Sequence, residues 1–167
     1  MSLAGTVLAV LLLMLPHSCT VKYSFTGAST VGLSTMSIQY FQNRASLVQP
    51  SLSQNLTEAL IDKCKAQTNL RLVDELGDVS FEGEISDYRT ATLTISGDAR
   101  AAVNRFTIRV KVKFTNTVDP DNSFEQSFER YEDYDSNLDL SQVEDELSGK
   151  IIEMLTEDIF NRAFVNW

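Results

Sequence analysis

The sequence predicts an α+β fold in which two helices pack on one face of a mainly antiparallel four-stranded sheet, a two-layer sandwich. Three patterns carry this expectation. Between Asn104 and Thr117, Phe106, Ile108, Val110, Val112 and Phe114 alternate with Arg105, Thr107, Arg109, Lys111 and Lys113. A strand gathers those five apolar side chains on one face, whereas a helix scatters them round its circumference. Leu52, Leu56, Ala59, Leu60 and Cys64 recur at helical spacing, as do Val143, Leu147, Ile151, Leu155, Ile159 and Ala163. A sheet with one apolar face and two helices with one apolar stripe each bury all three by stacking in two layers.

Taken in order, the chain opens on an apolar run, Thr6–Leu15, followed by Pro16-His17-Ser18-Cys19. The run suits the core of a signal peptide and is too short for a helix crossing ~30 Å of hydrocarbon. Leu15 four positions before Cys19, with small Ser18 between, resembles a lipoprotein signal. That resemblance implies removal of residues 1–18 and acylation of Cys19, which leaves 19–33 as a lipid-bearing linker and 34–167 as a single domain. Each buried acyl methylene contributes ~0.8 kcal/mol, and two or more chains hold a protein on a bilayer. A buried N-terminal helix is the competing reading of the apolar run. With Cys19 acylated, Cys64 has no disulfide partner and sits on a helix stripe as a small buried hydrophobe. A Cys19–Cys64 disulfide in a non-lipidated protein is the alternative.

Residues 34–41 alternate Met36, Ile38 and Tyr40 with polar neighbours and read as a strand. Pro50-Ser51 opens the first helix, with Ser51 and Gln54 as a capping box, and the helix ends near Gln67. Leu70–Val73 reads as a short strand and Gly77 as a turn. Val79, Phe81, Ile85, Ala91, Leu93 and Ile95 share one parity of a long extended stretch. The 104–117 strand follows, then turn chemistry at Asp119–Asn122 and a weaker alternation of Phe124, Gln126 and Phe128. Ser141 and Glu144 form a second capping box ahead of the last helix.

The formal charge of −9 is unevenly placed: Asp119–Trp167 holds 3 basic and 14 acidic residues. An acidic half does not suit nucleic acid, whose phosphates require Lys and Arg to displace counterions. His17 is the only histidine, and it leaves with the signal peptide. That removes His-based nucleophile pairs and zinc sites. No Gly-rich phosphate loop occurs and no cofactor is expected. Glu82 and Glu84 are the carboxylates open to acid–base work in a hydrolase; on the solvent face of a strand they read equally as solvated groups.

Two constellations remain. Asp133, Asp135, Asn137, Asp139 and Glu144 occupy ligand positions of an EF-hand-like calcium loop, and calcium takes 6–8 oxygens. Leu138, however, stands where the sharp turn requires Gly, at a cost of ~1–2 kcal/mol. The other reading is an acidic connection into the last helix. The basic row Arg105, Arg109, Lys111 and Lys113 either meets phosphates of an anionic glycolipid or an acidic partner surface, or forms a cross-strand ladder with Glu125 and Glu129. In the ladder, Arg105 and Arg109, further from the turn, are expected to be less neutralised.

The Cys19-Thr-Val-Lys-Tyr-Ser-Phe-Thr-Gly-Ala-Ser start is joined by Ser37-Ile-Gln-Tyr-Phe, Leu52-Ser-Gln-x-Leu-Thr-Glu-Ala-Leu and Phe81-Glu-Gly-Glu-Ile. With Phe124-Glu-Gln-Ser-Phe, Tyr131-Glu-Asp-Tyr-Asp and the closing Asn-Arg-Ala-Phe-Val-Asn-Trp, these segments resemble the LptE family of lipopolysaccharide-assembly lipoproteins. The likeness runs in order through Cys19–Trp167. It implies a non-enzymatic lipoprotein with two helices on a small sheet, on the periplasmic side of the outer membrane. It further implies a partner β-barrel of the LptD type that this protein plugs, and lipopolysaccharide delivery to the cell surface. Of the family's residues only the lipidated Cys19 is carried over.

Overall fold

The computed structural model describes residues 29–46, 49–93 and 102–165. The signal segment, His17, Cys19, the alternative disulfide, Ile95 and Trp167 lie outside the described residues.

The element order is β1 (Thr35–Ile38), β2 (Gln42–Asn43), α1 (Pro50–Gln67), β3 (Arg71–Leu72), β4 (Val79–Leu93), β5 (Val103–Asn116), a 3-10 turn (Pro120–Asn122), β6 (Phe124–Asp135) and α2 (Leu140–Phe164). Both helices bury their stripes against one face of the sheet, in a single core cluster. The class is the one the periodicity predicts, but the sheet has six strands rather than four, in the order β3-β1-β4-β5-β6 with β2 also on β4. It is mixed: β1 pairs parallel with β3 and β4, and β2 parallel with β4, while β4–β5 and β5–β6 are antiparallel.

The 34–41 stretch is not one strand. The chain leaves β4 after Ile38 and returns at Gln42, opposite Glu84. The excursion places the fully buried Phe41 against Gly83, where a Cβ would meet both the Phe41 ring and the Lys111 carbonyl. Phe41 N–H donates to Thr57 Oγ1 at 3.1 Å, and that hydroxyl donates to Ser53 O at 2.7 Å, so α1 fixes the excursion from above. At Gly77 the 73–78 connection crosses β1 so closely that a Cβ would lie 2.9 Å from the Met36 Cα.

A second departure lies in β4. Its register against β5 shifts between Ile85 and Asp87. The extra residue reverses the parity, so Tyr88, not Ala91 or Leu93, falls on the core face, opposite Ile108. Tyr88 is buried with its ring edge-on to Phe106, centroids 4.9 Å apart.

Neither expected capping box forms: α1 has none, its N-cap making no side-chain cap hydrogen bond, and that of α2 lies at Asp139 and Gln142. In α1 the N-cap is Gln49, with Pro50 at the first helical position, where a missing N–H costs nothing. In α2 the cap is Asp139, whose backbone N–H donates to Gln142 Oε1 at 3.1 Å. Glu144 is thereby free to accept from the Tyr88 hydroxyl.

The core centres on phenylalanines: Phe81 lies 4.8 Å from Phe114 and 6.0 Å from Phe164, ring centroid to centroid. Lys63 of α1 pairs with Glu157 of α2, and Arg130 of β6 holds Asp158 of α2 through 2.6 and 2.7 Å bonds. No described helix is long and apolar enough to cross a membrane.

Cys64 is fully buried and its thiol is free, as its place on the stripe predicts. Burial pushes it up from the usual 9.0 to about 12, with Lys63 opposing weakly. Above the unfolded value the open chain ionises while the fold keeps its proton. The group's contribution is therefore intact below pH ~9 and is lost as pH rises towards 12, by at most about 1.4 kcal/mol per pH unit. The stability difference between native protein and Cys64→Ala, from urea midpoints, is expected to shrink steadily over that window. A constant difference would refute the account.

Candidate functional site

The outer face of the sheet, away from both helices, carries the charged residues singled out from the sequence. β5 and β6 are joined by the Pro120–Asn122 turn, and their register sets Lys113 against Glu125, Arg109 against Glu129 and Arg105 against Asp133. Because side chains alternate with period 2, matching the apolar faces puts all these residues on the opposite one.

Each cation of the row has a carboxylate. Arg105 grips Asp133 through two bonds of 2.8 and 2.9 Å, while its guanidinium lies 3.6 Å from the centre of the Tyr131 ring. Arg109 Nε donates to Glu129 at 2.8 Å. Lys111 reaches diagonally to Glu125 at 2.6 Å, and Lys113 turns to Glu82 of β4 at 3.2 Å. The ladder reading therefore fits. The expectation that Arg105 and Arg109 are the less neutralised pair is corrected: they hold the ladder's Nε-donated bonds. Distance from the turn does not matter once the two strands stay in register over twelve residue pairs.

The electrostatics agree with the geometry. The hydrogen bond from Arg105, opposed by some desolvation, holds the Asp133 carboxyl below its ordinary value, and the Asp133 bond raises Arg105. Likewise the bond from Lys111 lowers Glu125, and Glu125 raises Lys111. These pairs stand at the surface, where solvent and salt screen them, so they fix register more than they add stability.

Glu82 and Glu84 lie on this face as expected. Glu82 accepts from Lys113 and, at 3.3 Å, from Gln39, so it is an ion-pair member. The five oxygens of the calcium reading are not brought together. Asp133 belongs to Arg105, Asp135 accepts from Asn137 N–H at 2.9 Å, Asp139 caps α2, and Glu144 turns into the body of the protein towards Tyr88. Desolvation raises the Glu144 carboxyl, with Asp145 adding to it. Among the described residues no three His, Cys, Asp or Glu form a metal-holding group.

Two partners of Arg105 were not recognised from the sequence, where Asp133 was read only as a calcium ligand. Asp133 stands four residues after Glu129 at the same parity, so extending the hairpin register would have paired it with Arg105. Tyr131 as a platform for Arg105 has the same positional signal. The Tyr88–Glu144 contact has none, because its partners are 56 residues apart and the β4 bulge turns Tyr88 inward.

What this arrangement offers is a charged face of mutually paired side chains on a helix-backed sheet. The family model for lipopolysaccharide assembly, LptE, matches residues 33–163, which covers all six strands, α1 and α2 up to Ala163. The chain belongs to the LptE family. Its role is in lipopolysaccharide assembly. Solved structures share the fold at low identity. Protein XCC0632 from Xanthomonas campestris is 12% identical with a TM-score of 0.54, covering 84% of this chain and 89% of that one. The hypothetical protein CT253 from Chlamydia trachomatis is 10% identical with a TM-score of 0.53, covering 80% and 99%. Rare lipoprotein B from Shewanella oneidensis is 14% identical over 77% and 92%, with a TM-score of 0.49. Comparison with curated proteins yields no match.

Proposed function

We propose that this LptE-family chain is a non-enzymatic outer-membrane lipoprotein, acylated at Cys19 and held on the periplasmic side. There it partners and plugs an LptD-type β-barrel during lipopolysaccharide assembly. The observation that carries the plug reading is the neutralised row. Arg105, Arg109, Lys111 and Lys113 each spend their charge on Asp133, Glu129, Glu125 or Glu82, which leaves a structural face rather than a set of open cations waiting for phosphates. Binding a glycolipid phosphate there would mean breaking an existing pair for each contact made. Direct lipopolysaccharide contact is therefore secondary in this reading.

The test is affinity purification of the tagged, natively expressed protein from detergent-extracted membranes. A large β-barrel is expected to co-purify in stoichiometric amount, and recovery of the protein alone would sink the proposal. The anchor is tested separately: Cys19→Ser is expected to move the protein from the membrane pellet to the soluble fraction.

A further inference from the structure

The sheet has two unequal margins. On one side it ends in β2 and β3, two residues each. On the other it ends in β6, twelve residues long, whose only strand neighbour among the described residues is β5. β6 runs against β5 through twelve pairs without a bulge, and it holds no proline. Among the described residues, no backbone bond from outside β5 reaches Glu125–Tyr134. Part of a strand's peptide groups point away from a single neighbour, so this margin presents a regular row of N–H and C=O groups, a template for a further strand.

The charges of β6 do not guard that row. Glu125, Glu129 and Asp133 are drawn towards β5 by Lys111, Arg109 and Arg105, and Arg130 is drawn towards α2 by Asp158. Phe124 and Tyr134 of β6 are only half buried, as is Met154 of α2, which lines a groove with Arg130. Apolar surface therefore reaches this margin as well.

The path of the chain points to an occupant. Traced back from β1, which lies beside β4, the chain passes Val118 just beyond the end of β5, where a Cβ on Gly32 would stand 3.6 Å from the valine side chain. Ser29 N–H then reaches Phe164 O in the last turn of α2 at 2.7 Å. That turn stands over β5 and β6: the Phe164 ring is 5.9 Å from Phe114, and the Arg162 guanidinium lies 4.4 Å from the centre of the Phe124 ring. From β1 to Ser29 the chain thus crosses the end of the sheet towards the first residue of β6. Before Ser29, in residues 20–26, Val21, Tyr23 and Phe25 alternate with Thr20, Lys22, Ser24 and Thr26, and Gly27 follows. Such period-2 patterning in β-branched and aromatic residues is that of a half-buried strand.

We infer that residues 20–26 add to the open edge of β6 as a seventh strand, antiparallel to it. The path dictates the sense, because the segment leads into Ser29 at the end where β6 begins. Seven residues cover about 24 Å, well within the length of β6. Placing Val21, Tyr23 and Phe25 on the face of Phe124 and Phe128 puts Lys22 on the opposite face, in the row of Glu125, Glu129 and Asp133. Lys22 is the only charged residue before Arg44. β6 carries five carboxylates and one cation, so a second copy of β6 in this place would bring like charges together, whereas Lys22 brings the opposite one. The inference does not depend on acyl chains at Cys19.

The test is hydrogen exchange on the natively expressed chain in mild detergent, read by mass spectrometry. Amides of residues 20–26 are expected to exchange at least about 100-fold more slowly than those of an open chain. Phe25→Pro, which removes a ladder donor, is expected to abolish that protection and to speed exchange in β6 while β4 and α1 stay as they were. Exchange of 20–26 at open-chain rates overturns the inference. A disulfide scan identifies the neighbour. Ser24→Cys is combined in turn with Ser127→Cys, Glu129→Cys and Tyr131→Cys, the partners it would face in three adjacent antiparallel registers that keep the apolar faces together. One pair is expected to close within the chain on mild oxidation, with peptide mapping showing which sulfurs are joined. A protected segment for which none of the three closes overturns the pairing with β6, since another surface then shields it. Disulfides that join two chains assign the edge to a second copy and overturn it equally.

Discussion

Gly83→Ala is expected to destabilise the domain by about 1–3 kcal/mol, whereas Gly149→Ala is expected to stabilise it by about 0.5–1 kcal/mol. The substitution is the same and the sign differs because of what each new methyl meets. At Gly83 it meets the Lys111 carbonyl of the neighbouring strand on one side and the Phe41 ring on the other. The carbonyl belongs to a paired strand and cannot withdraw without opening the sheet. Phe41 is fully buried, so its ring has no open space into which to swing, and its backbone is fixed by the bond to Thr57. Gly149 faces solvent on α2 with nothing within 4 Å, and there alanine simply has the better helix propensity. Urea midpoints of the two variants decide the matter; equal shifts in one direction would show that Gly83 is not a close-packed position.

Phe81→Ala is the other large effect, expected to cost about 3–5 kcal/mol. Phe81 is completely buried in the middle strand, against Phe114 of β5 and Phe164 of α2. Truncation leaves a cavity between the layers that neither a backbone strand nor the end of a long helix can collapse to fill. A domain typically holds only about 5–15 kcal/mol in all, so the variant stands near the threshold of folding. Phe81→Leu, which keeps most of the volume, is expected to cost far less. Comparable chemical-denaturation losses for the two variants would mean that volume at this point does not matter.

These positions differ in how far the sequence disclosed them. Phe81 was visible as core because it alternates with polar neighbours in a run that has no helical period. Gly83 was not visible as a close approach, because its neighbour Phe41 arrives by an excursion between two short parallel strands. Such strands pair with residues some forty positions away, and two to four residues are too few to establish a period. The β4 bulge at Ser86 was hidden for a related reason. An inserted residue changes which parity faces inward, yet both parities beyond it contain small and polar residues, so the sequence reads through it without a break. The helix starts failed locally: several residues near each start have capping side chains, and only the backbone conformation of Gln49 and Asp139 decides which one caps.

The site divides the same way. The ladder of β5 and β6 was legible because a hairpin is local, so one turn fixes every pairing after it. Its extension to Asp133 went unread because the acidic run 133–144 also matches a cation loop in composition, and composition does not say which partner each carboxylate takes.

By itself, then, the amino-acid order determined the class of the fold, its two helices, its long antiparallel strands and the placing of its charged row on the face opposite the core. All of these rest on periodicity or on contacts between neighbours in the chain. Only the folded structure decided the parallel strands and the inward turn of Tyr88 to Glu144. Those depend on contacts between residues far apart in sequence, whose pairing is chosen by the packing of the whole body and leaves no local trace.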